Sequence, residues 1–269
     1  MAPRPAESPE EAGFTLRPGT NDHHIFDGVV NQNEYRLPDD MTAWRVIDVG
    51  AHIGCFAYAC LRRGAAFVDA YEADHDNALL AIRHLDRSEF HERIAVTWGA
   101  IWRSDERTPA YLAHTGYAQE PTGERLINTG GGDVLEAEPS AHPPMTPDPG
   151  RRILAIPLDA VLTLYAGEVD LLKLDCEGSE WPILYTSKRL FLAKRIIGEF
   201  HEFEGKHDRK KIPPHARIRR PPSRAWTIEG LTEFLAGRHF IVTDWLRHTE
   251  PDGSMSRLGM FFAERHETR

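Results

Sequence analysis

From Trp44 onward, short apolar or β-branched runs alternate with helix-length segments, and this alternation restricts the fold more than any other feature of the chain. WRVIDV is followed by a helical pattern from Ile53, FVDAYE by DHDNALLAIRHL, and then comes RIAVTWGA. DLLKLD precedes a helical stretch over 181–185, KRIIGEFHEF follows, and a helix over 226–236 leads into HFIVTDWL and LGMFFAE. Strands alternating with helices of this length predict an α/β fold with a mostly parallel sheet and helices on both faces. Asp74 stands ahead of the periodic Ala78, Ile82 and Leu85 as an N-cap, and Gly64 supplies the left-handed residue needed after the helix over 53–63. Asp252-Gly253 separates the last two strands closely enough to predict an antiparallel hairpin at one end of the sheet.

At 269 residues, with 41% hydrophobic content, the chain can bury one substantial core. The first 25 residues, rich in Pro, Ala and Glu, read as a disordered tail, and residues 26–269 as a single domain. Two insertions break the rhythm: a Pro-rich loop over 136–150 and a basic loop over 205–224. The basic loop has eight Lys or Arg against one Asp, a net of +7 in a chain of −9, which leaves −16 for the rest. That acidic remainder argues against a general nucleic-acid binder, for which phosphate contacts need a basic face. Cys55, Cys60 and Cys176 form no CxxC pair and sit in apolar surroundings. With no apolar run long enough to span a bilayer, the expectation is a soluble, cytoplasmic protein with no membrane partner.

The segment VIDVGAHIG ends a strand in Asp48 and Val49 and opens a helix through Gly50 and Gly54. Such a turn brings backbone N–H groups close to a ligand. A dinucleotide fingerprint would be G-x-G-x-x-G, whereas position 52 is His, so a dehydrogenase is the last reading considered. Asp48 would repel a pyrophosphate and attract a cationic amino-acid moiety. Glu72, 24 residues on at the end of the second strand, is placed to accept both hydroxyls of a ribose. S-adenosylmethionine carries both groups. Taken singly, G-x-x-x-G also serves helix–strand packing, and Glu72 reads equally as an exposed strand-end acid.

In VIDVGAHIG, YEAD at 71–74, WGAI at 98–101 and above all DLLKLDCEGSEWPIL at 170–184, the chain resembles the FkbM family of S-adenosylmethionine-dependent methyltransferases, with NEY at 33–35 and GEFHEF at 198–203 as weaker matches. The resemblance spans roughly 26–264. It implies the Rossmann-like class I methyltransferase sheet of seven strands and methyl transfer, usually to a hydroxyl oxygen. It places Asp48, Gly50, Ala51 and Gly54 at the methionine part of the cofactor, with His52 standing where Asn is usual. It also places Glu72 and the adjoining Ala73 at the ribose, Gly99 and Ala100 at the adenine edge, and Asp175 at the fourth strand end facing the reaction.

Ligand sites on open α/β sheets lie beyond the C-terminal strand ends, where Asp175, Glu177 and His201 fall. An alcohol acceptor must lose its proton as the new bond forms, and His201 is the expected base because imidazole titrates near working pH. The alternatives are a hydrogen-bonded sheet-edge histidine at 201 and, at Glu177, an acid favoured by the dipole of the helix it precedes. Asp175, Glu177 and His201 also have the oxygen and imidazole donors of a divalent metal site, which the sequence does not decide. His23-His24 lacks the spacing of a ligand set. Through Arg209, Lys210, Lys211, Arg217, Arg219 and Arg220 the basic loop serves as a lid over an anionic acceptor or, equally, as a plain spacer. The leading expectation is O-methylation of a small molecule or sugar-containing metabolite. An RNA or protein methyltransferase and a non-catalytic cofactor-binding module are the alternatives.

Overall fold

The computed structural model describes residues 5–105, 110–114, 117–119, 125–136, 152–165, 167–203, 212, 216–219, 221, 224–249 and 253–266. Its main sheet contains β1 (Arg45–Val49), β2 (Phe67–Glu72), β3 (Ile94–Trp98), β4 (Leu171–Leu174), β5 (Arg195–His201), β6 (Phe240–Thr249) and β7 (Met255–Arg265). The order is β6-β7-β5-β4-β1-β2-β3. β1 pairs in parallel with β2 and β4, as do β2 with β3 and β4 with β5, while β7 runs antiparallel to both β5 and β6. The predicted hairpin is therefore present, with β7 inserted between β5 and β6 so that β6 forms the edge.

The central strands β1 and β4 are buried almost along their whole length because successive side chains enter opposite helical layers. Ile47, Leu172 and Ile196 pack with residues of α4 (Leu158–Leu164), α5 (Glu180–Thr186) and α6 (Ile228–Ala236). Their neighbours Val46, Leu171 and Ile197 pack on the opposite face with α2 (Cys55–Leu61), Leu85 of α3 (His75–Asp86), and Phe26 of α1 (Asp22–Phe26). Asp74 caps α3, its carboxylate accepting the Asn77 N–H at 2.8 Å, and Gly64 follows α2 with φ +94°. The Thr227 side chain caps α6 in the same way, accepting from Gly230 N–H at 3.1 Å.

The expected tail over 1–25 requires correction for residues 5–25, which dock on the α2–α3 face. Phe14 is 4% exposed and meets Phe26 and Tyr58 edge-on, each with ring centroids 5.3 Å apart. Thr15 N–H donates to His84 Nε2, and Glu7 accepts from the Tyr58 hydroxyl. A polar average concealed Ala12 and Phe14, whose burial helps to hold the segment down.

Between β3 and β4 the chain leaves the main sheet. Ala100–Trp102 pairs with Ala155–Pro157, Ala110–His114 lies between Gly132–Glu136 and Arg152–Ile153, and Tyr117–Gln119 pairs with Arg125–Ile127. Of the Pro-rich insertion only Glu136 falls within the described residues. Of the basic loop, Ile212, Ala216 and Ile218 are buried against the α4–α6 layer, so this part is anchored. Arg209, Lys210, Lys211 and Arg220 lie outside the described residues. Among the described residues no helix is long and apolar enough to cross a membrane.

Candidate active site

The cleft opens at the C-terminal ends of β1, β2, β4 and β5, where parallel strands leave their carbonyl ends and the following loops facing a common space. The glycine turn forms its floor. Gly50 has φ +78°, and a Cβ there would come 1.8 Å from the Asp175 carbonyl oxygen, so glycine is demanded by the crossing of the β1 and β4 loops. Gly54, with φ +94°, is the N-cap of α2 and lies against Ala81 and Leu85 of α3. Its role is helix packing, and it does not line the cleft.

Asp48 likewise does not reach the cleft. Its side chain is fully buried beneath the turn, with Oδ1 3.1 Å from Lys173 Nζ. Lys173 also donates to the Gly50 carbonyl oxygen at 2.6 Å. Although burial works against it, the neighbouring carboxylates of Asp48 and Asp175 hold the Lys173 ammonium above its ordinary value. A direct contact of Asp48 with the cofactor's cationic head is thus replaced by an internal ion pair, because the strand's alternation turns this side chain inward.

The other expected cofactor residues converge. Gly50, Ala51, His52, Glu72 and Asp175 line one part of the cleft, and Gly50, Glu72, Ala73, Gly99, Ala100 and Asp175 line the adjoining part beside Tyr71 and Ile101. Glu72 is buried, and each of its oxygens accepts one backbone N–H: Oε2 that of His52 and Oε1 that of Asp74, both at 2.7 Å. Burial pushes its carboxyl up to about 7 against those two donors. Each oxygen keeps a lone pair, so the group fits the vicinal hydroxyls of a ribose.

A wall not foreseen in the sequence closes this part. Residues 128–130 are tied to the N-terminal segment and to the turn: Thr129 Oγ1 donates to Asp22 Oδ1 at 2.8 Å and lies 2.8 Å from His52 Nε2, while Asn77 Nδ2 donates to the Thr129 carbonyl oxygen at 2.7 Å. Asp22 is also bound by Arg17, which outweighs the cost of burial and holds its carboxyl down to about 2. Burial pushes the His52 ring down to about 4, so it works as a neutral hydrogen-bonding group.

At the ends of β4 and β5 the three expected catalytic residues meet. Asp175 accepts the Tyr35 hydroxyl at 2.5 Å and lies 4.0 Å from Lys173 Nζ. These partners overcome partial burial and keep it ionised. His201 Nδ1 lies 2.8 Å from Glu180 Oε1, and Nε2 lies 3.4 Å from Glu177 Oε2 and 3.5 Å from Glu199 Oε2. With carboxylates at both nitrogens, only the doubly protonated ring donates to all its neighbours. Burial opposes that charge, but the surrounding carboxylates hold the ring well above its ordinary value. Glu177 has φ +52° and is followed by Gly178 at +90°, a left-handed pair that turns the loop between β4 and α5. Among the described residues no group of three or more His, Cys, Asp or Glu is arranged to hold a metal ion, so the metal reading of Asp175, Glu177 and His201 is not supported.

Lys173, Tyr35, Glu180 and Glu199 surround the expected site residues; all four lie in the segments that carry the family resemblance, but the sequence assigned them no role. Lys173 had a signal, being the single charge in the apolar run LLKL and the rung partner of Asp48. Tyr35 stands 140 residues from its partner, and its one mark in the sequence is its place in NEY at 33–35.

The sequence profile described as the Methyltransferase FkbM domain matches residues 48–220. No curated protein matches the chain. Among solved structures, the chain is similar to the O-methyltransferase of Bacillus cereus in complex with SAH (14% identity, 94% of this chain and 83% of that one, TM-score 0.43). It is also similar to a candidate S-adenosylmethionine dependent methyltransferase of Listeria monocytogenes (11%, 89% and 100%, TM-score 0.47). At such identities and scores these likenesses do not bear on substrate. The profile covers more than half of the chain, through the glycine turn, Glu72 and the Asp175–Glu180 loop, and on that ground the chain belongs to the FkbM family of S-adenosylmethionine-dependent methyltransferases.

Proposed function

We propose that the chain transfers the methyl group of S-adenosylmethionine to a hydroxyl oxygen of a small molecule, with Glu177 taking the hydroxyl proton. The observation that carries this reading is the placement of Glu177 at the junction of the two parts of the cleft, with its Oε2 3.4 Å from a histidine held in its charged form. The cofactor supplies an electrophilic methyl on sulfur. Glu72 and the residues beside Tyr71 and Ile101 orient the adenosine, and the wall over 128–130 keeps water from that side.

The proton path follows from the charges around each group. Asp175 is held ionised by Lys173 and Tyr35, and so has little tendency to take a proton. His201 already carries both of its protons, which revises its expected role from base to positioning cation: it orients Glu177 and Glu199 and is itself anchored by Glu180. Glu177 remains, on a backbone in the sparsely populated left-handed region that active sites often contain.

The test is a screen of hydroxylated small molecules for S-adenosylhomocysteine release, with product analysis, using the wild type and Glu177→Gln. Loss of about 10²-fold or more in kcat, with unchanged affinity for S-adenosylhomocysteine, is the expected result for a removed proton acceptor. An undiminished kcat removes Glu177 from the mechanism, and a methyl group found on nitrogen or carbon removes the oxygen as acceptor.

A further inference from the structure

We infer that the acceptor of this methyltransferase carries a positive charge, an ammonium group set beside the hydroxyl to be methylated. The inference rests on the proposed methyl transfer, and it replaces the anionic acceptor suggested by the basic loop. Beyond the cofactor residues, the wider part of the cleft, of about 290 Å³, is walled by Glu34, Asp175, Glu177 and Glu199. The one Lys or Arg lining it among the described residues is Lys173, which is buried and shared between Asp48, at 3.1 Å, and Asp175, at 4.0 Å. His201 is balanced by Glu180, which stands behind it and not on the wall. Even with His248 charged against Glu199, at 3.2 Å, Glu34, Asp175 and Glu177 stand against the cofactor's single net positive charge, and burial with the neighbouring Asp175 and Glu199 pushes the Glu34 carboxyl up to about 7. Acidic side chains this close repel one another, and Glu199 is pushed up by its burial and by Asp175. A second cation in the cleft relieves that repulsion.

An independent feature points to a donor-bearing ligand. Asn77 lines both parts of the cleft, is 2% exposed and gives its Nδ2 to Thr129, which fixes the orientation of its amide. Its Oδ1 is left buried with no protein partner, an acceptor wanting an N–H or O–H from the cleft. The Glu34 and Glu177 carboxylates and Asn77 Oδ1 are all acceptors on these walls, which suits ammonium and hydroxyl groups over carboxylate or phosphate.

The test uses the protein saturated with S-adenosylhomocysteine and three matched probes, glucosamine, glucose and glucuronate, titrated by calorimetry near neutral pH. Glucosamine is expected to bind about tenfold or more tightly than glucose, the scale of one charge-assisted hydrogen bond, and glucuronate more weakly than either. The preference should shrink in Glu199→Gln and in Glu34→Gln, the second lying on an exposed part of the wall where a folding defect is not expected. Equal binding of glucose, tighter binding of glucuronate, or no binding by any probe overturns the inference. Product analysis separates it from the reading beneath it. Methylation of glucose hydroxyls without amine preference overturns the charge selection alone, and methyl placed on the glucosamine nitrogen overturns oxygen transfer while charge selection stands.

Discussion

Asp48 and Lys173 occupy the same rung of the parallel ladder between β1 and β4, their charged ends 3.1 Å apart and neither side chain more than 3% exposed. The pair lies under the glycine turn, and the same ammonium holds the Gly50 carbonyl oxygen at 2.6 Å. The glycine turn is thus fixed from inside the sheet by a buried ion pair.

Breaking that pair from one side leaves an uncompensated buried charge. Lys173→Met should cost about 3–5 kcal/mol of stability, measured by urea denaturation, and Lys173→Met with Asp48→Leu should recover much of it. Near-additive losses in the double variant would mean that the two side chains do not act as a pair.

Gly50 and Gly130 both line the cleft, yet the demands on them differ. Alanine at 50 sets a Cβ against the Asp175 carbonyl oxygen in a left-handed backbone, so Gly50→Ala should fold poorly or lose several kcal/mol, on the order of a strained backbone plus a core clash. At Gly130 the nearest atom to a Cβ is 3.7 Å away, so Gly130→Ala should keep its melting temperature nearly unchanged. Thermal denaturation of both variants decides the point; equal tolerance would refute the close crossing of the two loops.

The His52 ring, neutral and hydrogen-bonded to Thr129, gives the fold a defined acid sensitivity. Its folded value of about 4 lies below the ordinary 6.5, so the unfolded chain binds this proton first. Stability should therefore fall as pH drops from about 6.5 toward 4, by roughly 1.4 kcal/mol per pH unit for one such group. His52→Asn should flatten that limb in a series of denaturation curves, whereas a limb unchanged by the substitution would assign the sensitivity elsewhere.

The sheet was legible in the sequence because each strand is short, apolar and followed by a helix with a readable cap, as at Asp74 and Gly64. That Gly50, Glu72 and Gly99-Ala100 would share one cleft was legible because they stand at the ends of neighbouring strands. What escaped reading depends on long-range contact. Phe14 docks on Phe26 and Tyr58, Thr129 is held by Asp22 and His52, and Tyr35 reaches Asp175. Polarity misled in two places: an acid at the end of β1 looked available to a ligand although Lys173 claims it, and a histidine at the end of β5 looked like a base although three glutamates surround it.

That enclosure of His201 has a measurable sign. A histidine whose folded pKa is raised contributes stability that is fully present below its unfolded value near 6.5 and is lost as pH climbs through the folded value. The stability gap between the wild type and His201→Asn should therefore be widest just below pH 6.5 and should narrow at alkaline pH. Ring chemical shifts followed by NMR should show the imidazolium persisting at pH 7 in the wild type and titrating lower in Glu180→Gln, since Glu180 is the closest of the three carboxylates. A ring already neutral at pH 7 would return the proton-accepting role to His201 and leave Glu177 as its partner.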